Sequence, residues 1–599
     1  MRVAIVGLGS RGLGVLERVV TLAGRRGPGA GPVLVELVDP TCSGAGVHAR
    51  DQPDYLLLNT TCGQVSMFPD AATVGEDVDA PGPTLHEWVT ARGLRLGADG
   101  FTVGAAGRPI RPTDFLPRRV LGDYLAWVLD EVRRRAPAHV DVRLHRAEAV
   151  DLDPAALELT LSTGDRLRAD HVFLTTGYTA NTVVELSPAG PRRTAGPYPL
   201  PDRVAAVEPG QLAAVGGFGL SAMDVLSCLT VGRGGRFVED TASEGGLRYL
   251  PGGREPTLLF LSRTGLPSRA RPRTVEFGPP YRPLAFTTAA VDAVRRARGG
   301  PLDFAADVLP LVLTEIRVGY RRCQARLAGT AAALEADLTS SAADVTGTLD
   351  RLDAVRDRFD AAEAFDGSAG MLLDGPEAYQ KWLAETIRAD LAEGLLGFAG
   401  SPVKAGLDVL RELRDTFRYV VDFGGLTAAS LDDFTARTIP ALNRAVVGPQ
   451  WERHAELLAL FAAGVARAPF GPDPVARWDG GRWTVSSTRL AEPYAAEVDW
   501  VVAAHVELPG VESSASPLIA ALHRRGAIRP HRPGSRLVRG IDVDRDQHPL
   551  DAAGRSDPRI SVLGPLCEGA TFYNNLVPSP NVHSRPVHDA HRCVRAVLG

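Results

Sequence analysis

Two glycine-rich strand-to-helix turns, about 210 residues apart, constrain this chain more than any other feature. The first is Arg2-Val3-Ala4-Ile5-Val6-Gly7-Leu8-Gly9-Ser10-Arg11-Gly12, a G-x-G-x-x-G after an apolar run. The second is Leu212-Ala213-Ala214-Val215-Gly216-Gly217-Phe218-Gly219-Leu220-Ser221-Ala222, with alanine in the third glycine's place. In such a turn the first glycine permits the bend and the second lets backbone N–H groups approach a pyrophosphate. The third lets helix and strand pack closely. Unpaired amides and the helix dipole then favour an anion at the helix N-terminus. Two such turns in one chain predict two bound dinucleotides, the layout of an enzyme that passes electrons from a nicotinamide to a flavin.

For the first nucleotide the expected contacts are Gly7, Gly9, Ser10, Arg11 and Gly12. Asp39 ends the second apolar strand and is placed to accept ribose hydroxyls. It lies farther along than the usual ~20 residues, and the Gly/Pro-rich loop 24–32 absorbs the difference. Glu36, on the opposite face of that strand, is the alternative acid. The stretches 42–48 and 55–70 carry small polar residues and glycines, with Asn59 and Gln64 placed to line an isoalloxazine ring. A plain connecting loop is an equal reading there. Gly177 closes a further buried strand. Gly564, Glu568 and Gly569 lie in a C-terminal strand-loop-helix of the kind that closes a flavin domain. For the second nucleotide the contacts are Gly217, Gly219 and Ser221. Arg263 ends the following strand where an acid would suit NADH. A cation suits a 2′-phosphate, so NADPH is favoured. Arg233 and Arg236 are secondary candidates, and a solvated surface charge is the plainer reading of each arginine.

At 599 residues the chain is too long for one core. Acidic residues outnumber basic ones, 71 to 66, which argues against a general polyanion binder. Only two lysines occur, Lys381 and Lys404; the arginine excess reads as genome composition rather than nucleic-acid binding. No two of the six cysteines form a C-x-x-C pair. That weakens a disulfide-exchange or structural-zinc reading. His588, His591 and Cys593 cluster near the C-terminus but read as an amphipathic surface helix, and no metal is expected. Residues 2–6 already read as a strand, so no signal peptide is expected, and no apolar run is long enough to span a membrane. The expected location is the cytoplasm.

The expected domains are an FAD-binding part at 1–199, an NADPH-binding domain at 200–286, a mainly helical insertion at 287–470 and a second FAD-binding part at 471–599. Residues 11–23 and 120–135 read as helices. Residues 141–161 read as strands of a small sheet.

Together these motifs resemble a family of roughly 600-residue FAD/NAD(P)-binding flavoproteins common in actinobacteria. The matching stretches are 6–17, 56–70, 115–124, 215–236, 261–267, 419–426 (Tyr-Val-Val-Asp-Phe-Gly-Gly-Leu) and 563–580. The resemblance implies an α/β fold with two Rossmann-like domains of a class B-like flavin monooxygenase plus a helical insertion. It also implies N-oxidation of a small amino acid's amine, with L-aspartate to nitrosuccinate as the leading substrate. NADPH would reduce FAD, O₂ would form a C4a-hydroperoxide, and an unprotonated amine would attack it. Ornithine, lysine or a similar amine, or a reductase without oxygenation, are the alternatives. A dicarboxylate calls for arginine clamps, and Arg269, Arg273, Arg282, Arg418 and Arg444 are the candidates. No catalytic acid is assigned. The expected partners are the amine and O₂, without nucleic acid or membrane, and the chain leaves room for a homodimer.

Overall fold

The computed structural model describes residues 1–599 apart from 76–77, 79–80, 183–189, 195, 341–343, 356–357 and 533–539. Its chain divides into two compact units. One comprises Met1–Val183, Val421–Gly424 and Glu507–Gly599, and the other Val184–Val420 and Gly425–Val506.

The first unit is built on a five-stranded parallel sheet. Its order is Ile560–Val562, His171–Leu174, Arg2–Val6, Val33–Val38 and Val140–His145. The inner strands are buried on both faces: helices Ser10–Arg26 and Arg118–Arg135 cover one, and a small antiparallel sheet with helix Pro517–Arg524 covers the other. Helix Ser10–Arg26 buries Leu13, Leu16, Val19, Val20 and Ala23 and packs on the C-terminal helix Arg585–Leu598. Each of these leucines and valines contributes about 1.5–3 kcal/mol when fully buried. The strand expectation for 141–161 needs correcting. Val140–His145 joins the main sheet as an edge strand, and only Ala149–Asp153, Glu158–Leu161 and Arg166–Arg168 form the small antiparallel sheet. The edge strand is covered on one face, so its burial alternates and its sequence looks like that of a small exposed sheet.

The second unit repeats the plan. Its parallel order is Arg193–Thr194, Trp500–Ala503, Leu212–Gly216, Thr257–Leu261 and Ala466–Arg467. In both sheets the strand that feeds the glycine turn lies in the middle. The helical stretch includes Thr288–Arg298, Leu309–Leu327, Pro376–Gly400, Pro402–Glu412 and Trp451–Ala462. Residues 471–506, expected with the C-terminal FAD part, lie in this unit. Trp500–Ala503 pairs with the glycine-turn strand, and Trp483 and Val485 pack beside Ala214, Leu259 and Phe470. Among the described residues no helix is long and apolar enough to cross a membrane.

Candidate functional site

In the first unit the glycines occupy the positions that the motif requires. Gly7 has φ +96°, and a methyl group there would lie 2.7 Å from the Thr175 carbonyl oxygen. A methyl on Gly12 would collide with the Gly7 carbonyl. A methyl on Gly9 would meet only the Gly46 Cα, 3.7 Å away, so that face of the turn is open. Gly9 caps helix Ser10–Arg26 without any side-chain hydrogen bond to its first turn. These are the features of an anion cradle: exposed amides, a helix dipole and no Cβ in the way. The described residues therefore fit the diphosphate of FAD.

Around this turn the expected residues gather within the one unit. Thr175 Oγ1 donates to the carbonyls of Val6 and Gly7, locking the neighbouring strand end to the turn. Gly177 follows with φ +71°. Asp39 Oδ2 accepts from the Leu8 amide at 3.0 Å. Its Oδ1 accepts from the amides of Thr41 and Cys42 and from the Thr41 hydroxyl. Asp39 thus shapes the turn and its loop, and Oδ2 keeps acceptor capacity. Glu36 is buried and paired with His145 Nε2 at 2.7 Å, which takes it away from a ribose. Asn59 and Gln64 are half-buried, and Gln64 accepts from Thr61 Oγ1.

The C-terminal loop reaches the same turn. Gly564 lies against the Arg11 side chain, and Arg11 Nη2 donates to the Asn574 carbonyl at 2.5 Å. Glu568 accepts from the amides of Tyr573 and Asn574, each at 2.9 Å, and from Asn574 Nδ2. Burial raises the Glu568 carboxyl above its ordinary range despite those donors, and the nearby Asp422 carboxylate adds to the rise. Gly569 follows with φ +114°. Of these, Thr175 and Asn574 escaped sequence reasoning as site residues. Thr175 sits in the small polar pair before Gly177, a signal that only the fold converts into a position.

In the second unit Gly217 has φ +130°, and Gly219 caps helix Leu220–Leu229, again without a side-chain cap. Ser221 lies in the first turn, 3.4 Å from the Tyr198 hydroxyl, which donates to Asp224 Oδ2 at 2.5 Å. Tyr198 and Asp224 carried no sequence signal. Arg263 is exposed just beyond strand Thr257–Leu261, and its side chain makes no hydrogen bond among the described residues. Arg233 donates to the carbonyls of Val204, Ala205 and Val207, a structural role, and Arg236 is exposed.

The five arginines considered for substrate divide sharply. Arg269 donates to Asp390 Oδ1 and to the Ala364 carbonyl. Arg444 donates to the carbonyls of Phe365 and Asp366; burial, with Arg269 nearby, pulls its guanidinium down to about 10. Arg418 is buried and paired with Asp415 at 2.6 Å. Arg273 and Arg282 are exposed and make no side-chain hydrogen bond among the described residues. In helix Arg585–Leu598, expected to be a surface helix, His591 and Cys593 are buried on the core side.

Residues 4–179 match the FAD-NAD(P)-binding family. Over its whole length the chain is 33% identical to the nitrosuccinate-forming L-aspartate N-monooxygenase of Streptomyces davaonensis, across 97% of that protein. It is 32% identical to nitrosuccinic acid synthase of Aspergillus oryzae, again over the whole chain and 92% of the relative. Among solved structures it resembles the ornithine N-hydroxylase of Kutzneria sp. 744, at 13% identity and a TM-score of 0.44, over 99% of this chain and 98% of that one. With two nucleotide-binding folds and full-length identity above 30%, the chain belongs to the family of FAD/NAD(P)-binding N-monooxygenases that includes the nitrosuccinate-forming L-aspartate enzymes.

Proposed function

We propose that this chain is an FAD- and NADPH-dependent enzyme that oxidises the amine of L-aspartate to nitrosuccinate. The observation that carries the reading is the full-length identity of 32–33% to relatives named for that product. Bound FAD supplies oxygen activation and NADPH supplies the reducing equivalents. The chain's own residues bind and orient. The amides at Ser10–Gly12, with Arg11 beside them, would hold the FAD diphosphate, and Asp39 would serve its ribose hydroxyls. Asn59, Gln64 and Gly177 border the flavin, with Gly564, Glu568 and Gly569 on the side of the C-terminal loop. The amides at Gly219–Ser221 hold the NADPH diphosphate, and Arg263 holds its 2′-phosphate.

An amine is nucleophilic only when unprotonated. A site that excludes water disfavours the ammonium form and so prepares the substrate. The two substrate carboxylates call for guanidinium partners. Among the described residues Arg273 and Arg282 have free donors for that task and Arg269 keeps only its buried Nε unpartnered, whereas Arg418 pairs with Asp415 and Arg444 donates to backbone carbonyls. The reaction belongs in the cytoplasm, with its NADPH supply.

The test is NADPH consumption by the FAD-loaded enzyme with and without L-aspartate, with mass analysis of the product. Aspartate-stimulated oxidation with a nitrosuccinate product is the expected result. NADPH oxidation that responds to ornithine or lysine but not to aspartate overturns the substrate. Oxidation that ignores every amine overturns the monooxygenase.

A further inference from the structure

Four residues, Val421–Gly424, leave the helical stretch in sequence but belong to the first unit in space. We infer that Asp422 is a positioning residue of the flavin site: its carboxylate fixes the loop 569–574, whose Asn574 carbonyl holds Arg11 at the diphosphate turn. The inference rests on FAD occupying that turn.

Asp422 bridges two parts of the unit. Its Oδ1 accepts from the Phe572 amide at 2.7 Å, and its Oδ2 accepts from Arg585 Nη1 at 2.7 Å. Arg585 is buried and is shared with Asp589 one helical turn on. The neighbouring Phe423 amide donates to the Ala570 carbonyl at 2.8 Å, and its ring lies 5.3 Å from the Arg545 guanidinium. The loop is therefore held at Ala570 and Phe572 by this short segment, and at Tyr573 and Asn574 by Glu568. Phe423 and Tyr573 have φ +54° and +60°, uncommon for non-glycine residues. Such conformations persist where the surrounding bonds over-determine them. The linkage runs from Arg585 to Asp422 to the Phe572 amide, along two residues of loop backbone to Asn574, and on to Arg11. Its last member stands in the glycine turn, so the carboxylate acts on FAD through the loop and not by touching it.

A merely structural carboxylate, one that only neutralises Arg585, would change stability alone. The experiment titrates apoprotein with FAD and records the affinity and the visible circular dichroism of the bound flavin. The variants are Asp422→Ala and Asp422→Asn, with Asp589→Asn as a control that removes another partner of Arg585. Asp422→Ala is expected to bind FAD about tenfold more weakly, from loss of charge-assisted hydrogen bonds, with an altered flavin spectrum. Asp422→Asn keeps an acceptor for the Phe572 amide and should fall between, and Asp589→Asn should stay close to wild type. Affinity within about twofold of wild type and an unchanged spectrum in Asp422→Ala overturn the inference, whatever happens to the melting temperature. If that variant does not fold, the same result in Asp422→Asn overturns it. Wild-type protein that takes up no FAD overturns instead the reading on which the inference stands.

Discussion

Arg11 Nη2 and the Asn574 carbonyl meet at 2.5 Å across 563 positions of sequence. The guanidinium extends from the first turn of the glycine-motif helix and stops at the C-terminal loop. It brings positive charge to the turn and closes the loop around it. Lysine has one compact donor group and no planar fork, so it cannot serve both ends in the same way. Arg11→Lys should therefore weaken FAD binding by about tenfold, measured as the dissociation constant of apoprotein for FAD.

Gly9 and Gly12 separate two meanings of a glycine in the first turn. Gly12→Ala forces a methyl into the Gly7 carbonyl, so it should lower stability by about 1–3 kcal/mol through overpacking. Gly9→Ala meets nothing closer than 3.7 Å and its φ is −86°. It should leave the apoprotein's melting point almost unchanged while abolishing most FAD uptake. Thermal melts of apoprotein, paired with flavin content after reconstitution, check both.

Arg263, just beyond strand Thr257–Leu261, is exposed and its side chain makes no hydrogen bond among the described residues. Arg263→Gln should raise KM for NADPH by about tenfold or more, as loss of a charge-assisted contact to phosphate would. KM for NADH should hardly move. Steady-state kinetics with the two nucleotides give the ratio directly, and an equal effect on both would remove Arg263 from 2′-phosphate recognition.

Asp390 is buried, receives Lys404 Nζ at 2.7 Å and Arg269 Nη1 at 3.2 Å, and accepts from the Ala270 amide. Burial alone would raise its carboxyl, but Lys404, His454 and Arg269 outweigh it and hold the group at about 2. An unfolded aspartate titrates near ~3.9. The stabilisation is thus complete above that value and is lost as pH falls through about 2. Asp390→Asn should destabilise by about 3–5 kcal/mol at neutral pH, since it strands buried cations. The difference from wild type in urea melts should shrink as the pH is lowered from 4 towards 2.

Much of the architecture was legible because its signals are local. Val6-Gly7-Leu8-Gly9 and Val215-Gly216-Gly217 carry a strand, a turn and a helix start within a dozen residues. Both glycine-turn strands lie in the middle of parallel sheets. The edges were harder to read. Val140–His145 is half-covered and alternates like an isolated strand. Trp500–Ala503, an inner strand expected with the C-terminal FAD part, pairs instead with Leu212–Gly216, a partner that no local signal names. The arginines show the same limit. Nothing in sequence separates Arg269, engaged by Asp390 more than a hundred residues away, from exposed Arg273 four positions on. Asp422 lay inside a family-like stretch, but its partner Arg585 is 163 positions distant.

Ile560–Val562 is an edge strand of the first sheet, yet it pairs with His171–Leu174 and through it stands beside the strand that opens the chain. During synthesis Arg2–Val6 and His171–Leu174 emerge long before Ile560–Val562, so the first sheet is completed late. Pairings of such long sequence separation slow folding, and the exposed edge of His171–Leu174 is available to other chains in the meantime. The strands of the second unit fall before Ile560 in sequence, so that unit completes its own sheet earlier. Removing Ile560–Val562 would consequently damage the sheet that carries the first glycine turn and leave the second unit's strands intact, and chaperone dependence in a foreign host should track the first unit rather than the helices.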